Sequence, residues 1–186
     1  MILFKIPENH FQYKVNFWEM RMPPAAKKVL HQRLTLMGID DDVVGSLKYA
    51  APFIAECMDD IIERFYAYFH SFPAGRKAFE YPKLVRHLKV MQKKHWCEMF
   101  RGNLGEQFQR SAYHIGVGHS KKGIAPHLYI SGYNFFQCEL TRHLSEKFRN
   151  DPKLADILVA VTRVISLDMD LALSVYMREI WRNQSV

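Results

Sequence analysis

Histidine is the residue type in this chain with the most obvious capacity for chemistry. There are nine, and imidazole is both a common metal ligand and a proton carrier near neutral pH. No His-Glu-x-x-His motif is present, and His114 and His119 are five positions apart, which places them on different faces of a helix. His119 closes an apolar row formed by Phe108, Ala112 and Ile115, so its ring should point to the interior. Judged from the residues alone, His119 is more typical of a hydrogen-bonded core histidine. A role as metal ligand stays open and would require a second helix that faces the ring.

A tyrosine and a third apolar row could supply that facing wall. Tyr66 ends a row at i, i+4 spacing that is otherwise apolar, with Ile54, Met58 and Ile62 before it. Its hydroxyl group is therefore carried inward, where it needs a hydrogen-bond partner. The residues alone favour a core tyrosine bonded to a backbone carbonyl group over a tyrosine that binds a ligand. The third row carries no charge and is more typical of plain core than of a cofactor pocket: Leu84, Leu88 and Met91.

Other kinds of site find little support. The three cysteines are odd in number, far apart and without a Cys-x-x-Cys pair, which argues against a disulfide framework, a zinc site or covalent heme attachment. Glycine-rich phosphate loops and nucleophile motifs are absent. Asp168 and Asp170 lie inside an apolar helix. We expect them to pair with Arg163 or with a neighbouring subunit, and we assign them no catalytic role.

Composition and charge indicate a soluble protein of one domain. The 186 residues include 48% hydrophobic and 24% charged side chains, which is typical of a globular domain. The net charge of +7 is spread along the chain, so we expect no binding to nucleic acid. No apolar run approaches the roughly 18 residues of a membrane span, and the N-terminal apolar stretch is too short for a signal peptide. We therefore expect a cytoplasmic protein that does not insert into membranes.

Helical spacing recurs along the chain and strand signals are scarce, which predicts an all-α fold of about seven helices. An aromatic arm over residues 1–22 should precede them. The predicted helices run from 24 to 37, from 40 to a break or kink at Pro52, then over 52–71, 83–100, from Gly105 to Gly123, 127–148 and 153–182. The last is apolar on more than one face, which is typical of a helix at the centre of the core or in a subunit interface.

Three segments carry a family resemblance. Residues 110–133, Arg-Ser-Ala-Tyr-His-Ile-Gly-Val-Gly-His-Ser-Lys-Lys-Gly-Ile-Ala-Pro-His-Leu-Tyr-Ile-Ser-Gly-Tyr, resemble the F-helix and G-helix signature of globin-coupled sensors. Residues 62–66, Ile-Glu-Arg-Phe-Tyr, are similar to the end of the family's B-helix, and residues 87–100 to its E-helix. The resemblance covers about residues 25–180. It implies an all-α globin fold of the sensor type, with an extra N-terminal helix and no D helix, in a domain over residues 23–186.

The resemblance also implies roles for individual residues. His119 would be the proximal ligand of a b-type heme (iron protoporphyrin IX), and Tyr66 would donate a hydrogen bond to a diatomic ligand on the distal side. Leu88 and Met91 would line the distal pocket. The rest of the heme pocket would comprise Phe65, Phe69, Leu84, His87, Ile115, Leu128, Tyr129 and Tyr133. A mobile His87 could also act as a second axial ligand.

For such a domain we expect a heme-based sensor of O₂ that also binds CO and NO and has no enzymatic activity of its own. A homodimer interface formed by the last two helices would relay the ligation state to a signalling output domain, fused or separate. Since the chain stops at Val186, we expect a single-domain member or an excised sensor half. Two alternatives stay open: a globin-fold interaction module without heme, and a heme enzyme acting on NO or peroxide.

Overall fold

Helices make up the regular structure of the part of this chain that the structure describes. The computed structural model describes residues 26–184, with the side chains of residues 29–175. In that range there are seven helices and no strand: α1 (Ala26–Leu36), α2 (Asp41–His70), α3 (Pro73–Ala78), α4 (Pro82–Phe100), α5 (Glu106–Lys121), α6 (Pro126–Lys147) and α7 (Leu154–Gln184). The predicted all-α class is confirmed. The arm predicted for residues 1–22 lies outside the described residues.

Helix α2 runs without interruption through Pro52, where the sequence predicts a break or kink. Asp40 caps this helix, and its Oδ1 accepts a hydrogen bond from the backbone N–H of Val43 at 3.0 Å. A proline inside a helix removes one backbone hydrogen bond and costs about 3 kcal/mol. The Pro52 ring is exposed while Ala50 and Ile54 are fully buried. Packing of the apolar face therefore offsets the cost of the proline, and no break occurs.

The other helix ends follow local chemistry. Pro73, Pro82 and Pro126 lie in the first turns of α3, α4 and α6, where a proline sacrifices no hydrogen bond. Gly123 follows α5 with a φ of +66°, a left-handed conformation that a side chain would disfavour. Helix α3 occupies a connection that the sequence predicts to be a loop. Of the helices described, none combines the length and the hydropathy needed to cross a membrane.

Helix α7 lies at the centre of the fold. It packs against α2, α4, α5 and α6, whereas α4 packs chiefly against α2. Its inward side chains are fully buried: Ile157, Ala160, Val164, Ile165 and Leu167. A central position is one of the two roles predicted for a final helix that is apolar on several faces.

A close approach of two helices sets the position of α5. A Cβ atom added at Gly116 would lie 2.3 Å from the carbonyl oxygen of Ala172, so only glycine fits this crossing without a shift of α7. Gly116 precedes His119 by one helical turn. The crossing therefore also sets where His119 lies relative to α7.

Candidate functional site

The candidate site centres on His119, near the C-terminal end of α5. Its ring Nδ1 lies 2.8 Å from the carbonyl oxygen of Ile115. Because a carbonyl oxygen only accepts, Nδ1 carries the proton and donates it, and Nε2 keeps its lone pair in the neutral ring. Burial lowers the pKa of His119; the Ile115 hydrogen bond opposes this, and the charges of Lys122 and His95 add to it. The ring is therefore neutral at pH 7, which is the state in which imidazole binds a metal.

A buried chain of hydrogen bonds begins at the ring that lies against His119. The Tyr129 ring, on α6, packs edge-on against the imidazole, with centroids 4.9 Å apart. Its hydroxyl oxygen lies 2.8 Å from that of Tyr133, which in turn lies 2.5 Å from Oδ2 of Asp168 on α7. The same Oδ2 lies 2.8 Å from Nε2 of His95 on α4. We call Tyr129, Tyr133, Asp168 and His95 the buried chain.

The carboxylate sets the direction of the hydrogen bonds in the buried chain. Asp168 is fully buried, and an ionised carboxylate only accepts, so the Tyr133 hydroxyl and His95 Nε2 both donate to it. With its proton directed to Asp168, Tyr133 accepts from Tyr129. Burial alone would lower the pKa of His95, but the charge and hydrogen bond of Asp168 raise it above its ordinary value. Burial and the Asp168 charge raise the pKa of Tyr133, so its phenol keeps its proton.

Tyr66, near the C-terminal end of α2, is a buried neutral phenol. Burial raises its pKa above the ordinary value, so the hydroxyl group can donate. Its ring centroid lies 5.2 Å from that of Phe65 and 4.8 Å from that of Phe79, and Nζ of Lys89 lies 5.4 Å from the ring centre. Among the described residues, none forms a hydrogen bond with the Tyr66 hydroxyl. The backbone carbonyl partner expected of a plain core tyrosine is thus not found in this part of the chain.

The apolar row of α4 shares its face with His95. Leu84, Leu88, Met91 and His95 recur at intervals of three and four residues, which places them on one side of the helix. Because His95 bonds Asp168, this side of α4 is turned towards α7. Leu84 and Leu88 are half-buried, and Met91 is 50% exposed. Apolar side chains that face other helices but remain uncovered are typical of the wall of a cleft.

The other predicted pocket residues differ in their burial. Phe65 lies in an aromatic cluster between α2 and α6, with its ring centroid 5.0 Å from that of Phe136 and 4.6 Å from that of Phe69. His87 is exposed on α4. Tyr129 contacts the candidate ligand directly, and Tyr133 reaches it through Tyr129. The half-buried positions, which can border a cleft, are Phe69, Ile115 and Leu128.

Sequence reasoning does not identify Asp168 and His95 as members of the buried chain. It predicts that Asp168 pairs with Arg163 or with another subunit, but Asp168 bonds His95 and a tyrosine, while Arg163 donates to a backbone carbonyl group. Asp170 instead forms an ion pair with Arg33 of α1 at 2.7 Å. A signal was present, because His95 and Asp168 are polar members of rows that are otherwise apolar.

The chain is similar to known proteins over most of its length. A family model described as Protoglobin matches residues 26–182. The heme-based aerotactic transducer HemAT of Halobacterium salinarum is 25% identical over 154 residues, which are 77% of this chain and 32% of the transducer. The chain thus spans about a third of the length of that curated relative. Among solved structures, the globin domain of a Geobacter sulfurreducens globin-coupled sensor superimposes with a TM-score of 0.74 at 15% identity, over 78% of this chain and 96% of that one.

Proposed function

Since this chain belongs to the Protoglobin family and has the fold of the globin domain of a globin-coupled sensor, we propose that it is a heme-binding, gas-sensing domain. In this proposal His119 is the iron ligand and O₂ is the principal gas, with CO and NO as competitors. The observation that carries the proposal is the state of His119. Its imidazole is neutral, its Nδ1 is held by Ile115, and its Nε2 keeps a lone pair for a metal.

The residues near His119 fit a heme better than a bare metal ion. In the part of the chain that the structure describes, no three His, Cys, Asp or Glu side chains come together as a ligand set. A porphyrin brings the equatorial ligands of the iron with it and needs an axial imidazole and apolar walls. Since no Cys-x-x-Cys-His motif is present, the heme would be of the b type. The uncovered apolar side chains proposed as its walls are Leu84, Leu88, Met91, Ile115 and Leu128.

A bound heme would supply an iron atom that can bind a diatomic gas. Residues of this chain would control access to that iron. His119 would donate the Nε2 lone pair to the iron, while Leu88 and Met91 would exclude water from the gas-binding site. Tyr66 would donate a hydrogen bond to the gas from a hydroxyl group that has no partner among the described residues.

In the proposed sensor, a displacement of His119 and its helix α5 would be transmitted through two contacts, one to α6 and one to α7. Helix α5 ends just before Gly123, and α6 begins at Pro126, so a displacement of α5 is transmitted along a short connection. Helix α5 also meets α7 at the Gly116 crossing. A homodimer formed by α6 and α7 would receive both movements and pass them to an output domain, fused or separate.

Absorption spectroscopy of the chain reconstituted with heme tests the proposal. We expect the reduced protein to change its spectrum on addition of O₂ and of CO. The variant His119→Gly should lose heme and regain it when free imidazole is supplied. His143→Gly is the control, because this half-buried histidine of α6 faces Asp60 at 3.6 Å and should leave the spectrum unchanged. A wild-type protein that takes up no heme would contradict the proposal and favour an interaction module; an unchanged spectrum in His119→Gly would contradict the role of that residue.

A further inference from the structure

We propose that Asp168 is a positioning residue for the imidazole of His119, acting through Tyr133 and Tyr129, and that His95 completes the unit. This inference rests on the proposed function, because it concerns the residue proposed to hold the iron. It is carried by the buried chain, which connects α7 and α4 to the ring that lies against His119.

A fully buried carboxylate needs donors, and both donors of Asp168 belong to the interior. Tyr133 is 7% exposed, and the His95 side chain is 13% exposed. Removing a charge from water is costly, and replacing a whole buried ion pair by well-packed apolar residues is often neutral or stabilising. Stability alone therefore does not explain a carboxylate here. The carboxylate of Asp168 is explained by the two side chains that it holds in place, His95 and Tyr133.

The carboxylate restrains two tyrosine side chains in sequence. The Tyr133 hydroxyl must point to Asp168, and the Tyr129 hydroxyl must then point to Tyr133. Neither ring can swing away without breaking a hydrogen bond in a buried, low-dielectric setting, where such bonds are strong. Trp96, which is 4% exposed, lies behind the Tyr133 ring at a centroid distance of 5.5 Å and restricts it further.

The restrained Tyr129 ring gives His119 a second point of contact. The first is the hydrogen bond from Nδ1 to Ile115, which fixes one edge of the imidazole but leaves it free to tilt about that bond. The Tyr129 ring stands at 69° to the imidazole plane and blocks this tilt from the side of α6. The direction of the Nε2 lone pair is therefore set jointly by α5 and by the buried chain.

A second buried carboxylate shows what the alternative, a purely stabilising role, would look like. Glu139 on α6 is 5% exposed, and its partners are Arg64 at 2.7 Å and Arg142 at 3.7 Å. Both arginines are exposed, so the ion pairs of Glu139 lie at the protein surface. The partners of Asp168 lead to His119 instead. Glu139 is therefore a suitable control position.

Heme retention and the iron–histidine vibration test the role of Asp168. Tyr133→Phe keeps the ring and cuts the buried chain, and Asp168→Asn keeps the shape and removes the charge. We expect both variants to release heme about 10-fold faster than the wild type and to shift the iron–histidine stretching band in the resonance Raman spectrum of the reduced protein. Glu139→Gln loses a comparable buried charge and should match the wild type in both measurements.

The heme-free chain provides a readout that does not depend on the cofactor. We expect Tyr133→Phe to move the NMR signals of the His119 ring in this form and Glu139→Gln to leave them in place. If the wild type takes up no heme, the proposed function fails, while these signals still decide the inference. If Asp168→Asn does not fold, Tyr133→Phe decides it. Unmoved His119 signals in folded Tyr133→Phe, or equal shifts in Glu139→Gln, would overturn it.

Discussion

At the scale of single residues, the proposed preference for O₂ over CO depends on one hydroxyl group. Tyr66 is 7% exposed and neutral, so its O–H faces little competition from water. A hydrogen bond to a ligand that carries partial negative charge is worth about 1.5–3 kcal/mol. O₂ bound by ferrous iron carries more of this charge than CO does. Tyr66 should therefore stabilise the O₂ complex and leave the CO complex almost unaffected.

We expect Tyr66→Phe to raise the dissociation rate of O₂ about tenfold or more and to change that of CO little, because each tenfold step corresponds to about 1.4 kcal/mol. Stopped-flow displacement of each gas measures both rates. Tyr68→Phe, an exposed position on the same helix, should keep both at the wild-type values. Equal acceleration of the two gases would contradict this role for Tyr66.

At this scale the sequence predicts residues that close an apolar row more readily than residues that pair across long stretches of chain. His119 and Tyr66 are each the polar end of a row with helical spacing, so their inward direction follows from local periodicity. The partners of Asp168 are 73 and 35 positions away along the chain. No local pattern connects such positions, and a charged residue in an apolar helix has many conceivable partners until the helices are packed.

At the scale of helices, the crossing of α5 and α7 controls the position of the proposed iron ligand. Gly116 lets the backbone of α5 approach Ala172, whereas Gly118, two residues further along α5, has nothing within 4 Å of its virtual Cβ atom. The two glycines therefore occupy the same helix in opposite surroundings. They form a matched pair in which helix propensity is equal and packing differs.

Gly116→Ala should lower the free energy of unfolding by about 1–2 kcal/mol, because overpacking costs more than the gain in helix propensity returns. Gly118→Ala should raise it by about 0.5–1 kcal/mol through the propensity gain alone. Urea unfolding followed by circular dichroism measures both. A Gly116→Ala protein as stable as Gly118→Ala would show that the crossing tolerates a methyl group and does not set the position of α5.

The sequence predicts the bounds of the long helices more accurately than it predicts breaks and short helices. The apolar rows of α2, α4 and α5 and the proline or glycine at their ends predict their bounds to within a few residues. Of the break or kink predicted at Pro52, the break is absent, because local propensity does not account for the burial of Ala50 and Ile54 on either side. The short α3 was likewise missed, since six residues carry too little periodicity to identify a helix.

At the scale of the whole molecule, the predicted sensor-globin fold is confirmed by the family match and by the solved neighbour. The apolar pattern of the last helix does not predict whether two copies of this chain associate. An apolar final helix suits both a central core helix and an interface, and the structure gives α7 the first role. Its outward face still carries Val159 at 47% exposure, and α6 carries Ile130 at 45%. These uncovered apolar side chains lie on the two helices proposed to form the dimer.

We expect sedimentation velocity at micromolar concentration to show a dimer, and Val159→Lys to shift it towards the monomer, because an interface would bury the new charge without a partner. Val90→Lys is the control. Val90 is an apolar side chain on α4 with 67% exposure, so the same charge is added outside the proposed interface and the dimer should persist. A wild-type monomer throughout this range, or equal dissociation of both variants, would contradict an interface formed by α6 and α7 and would require another route from the heme site to any output domain.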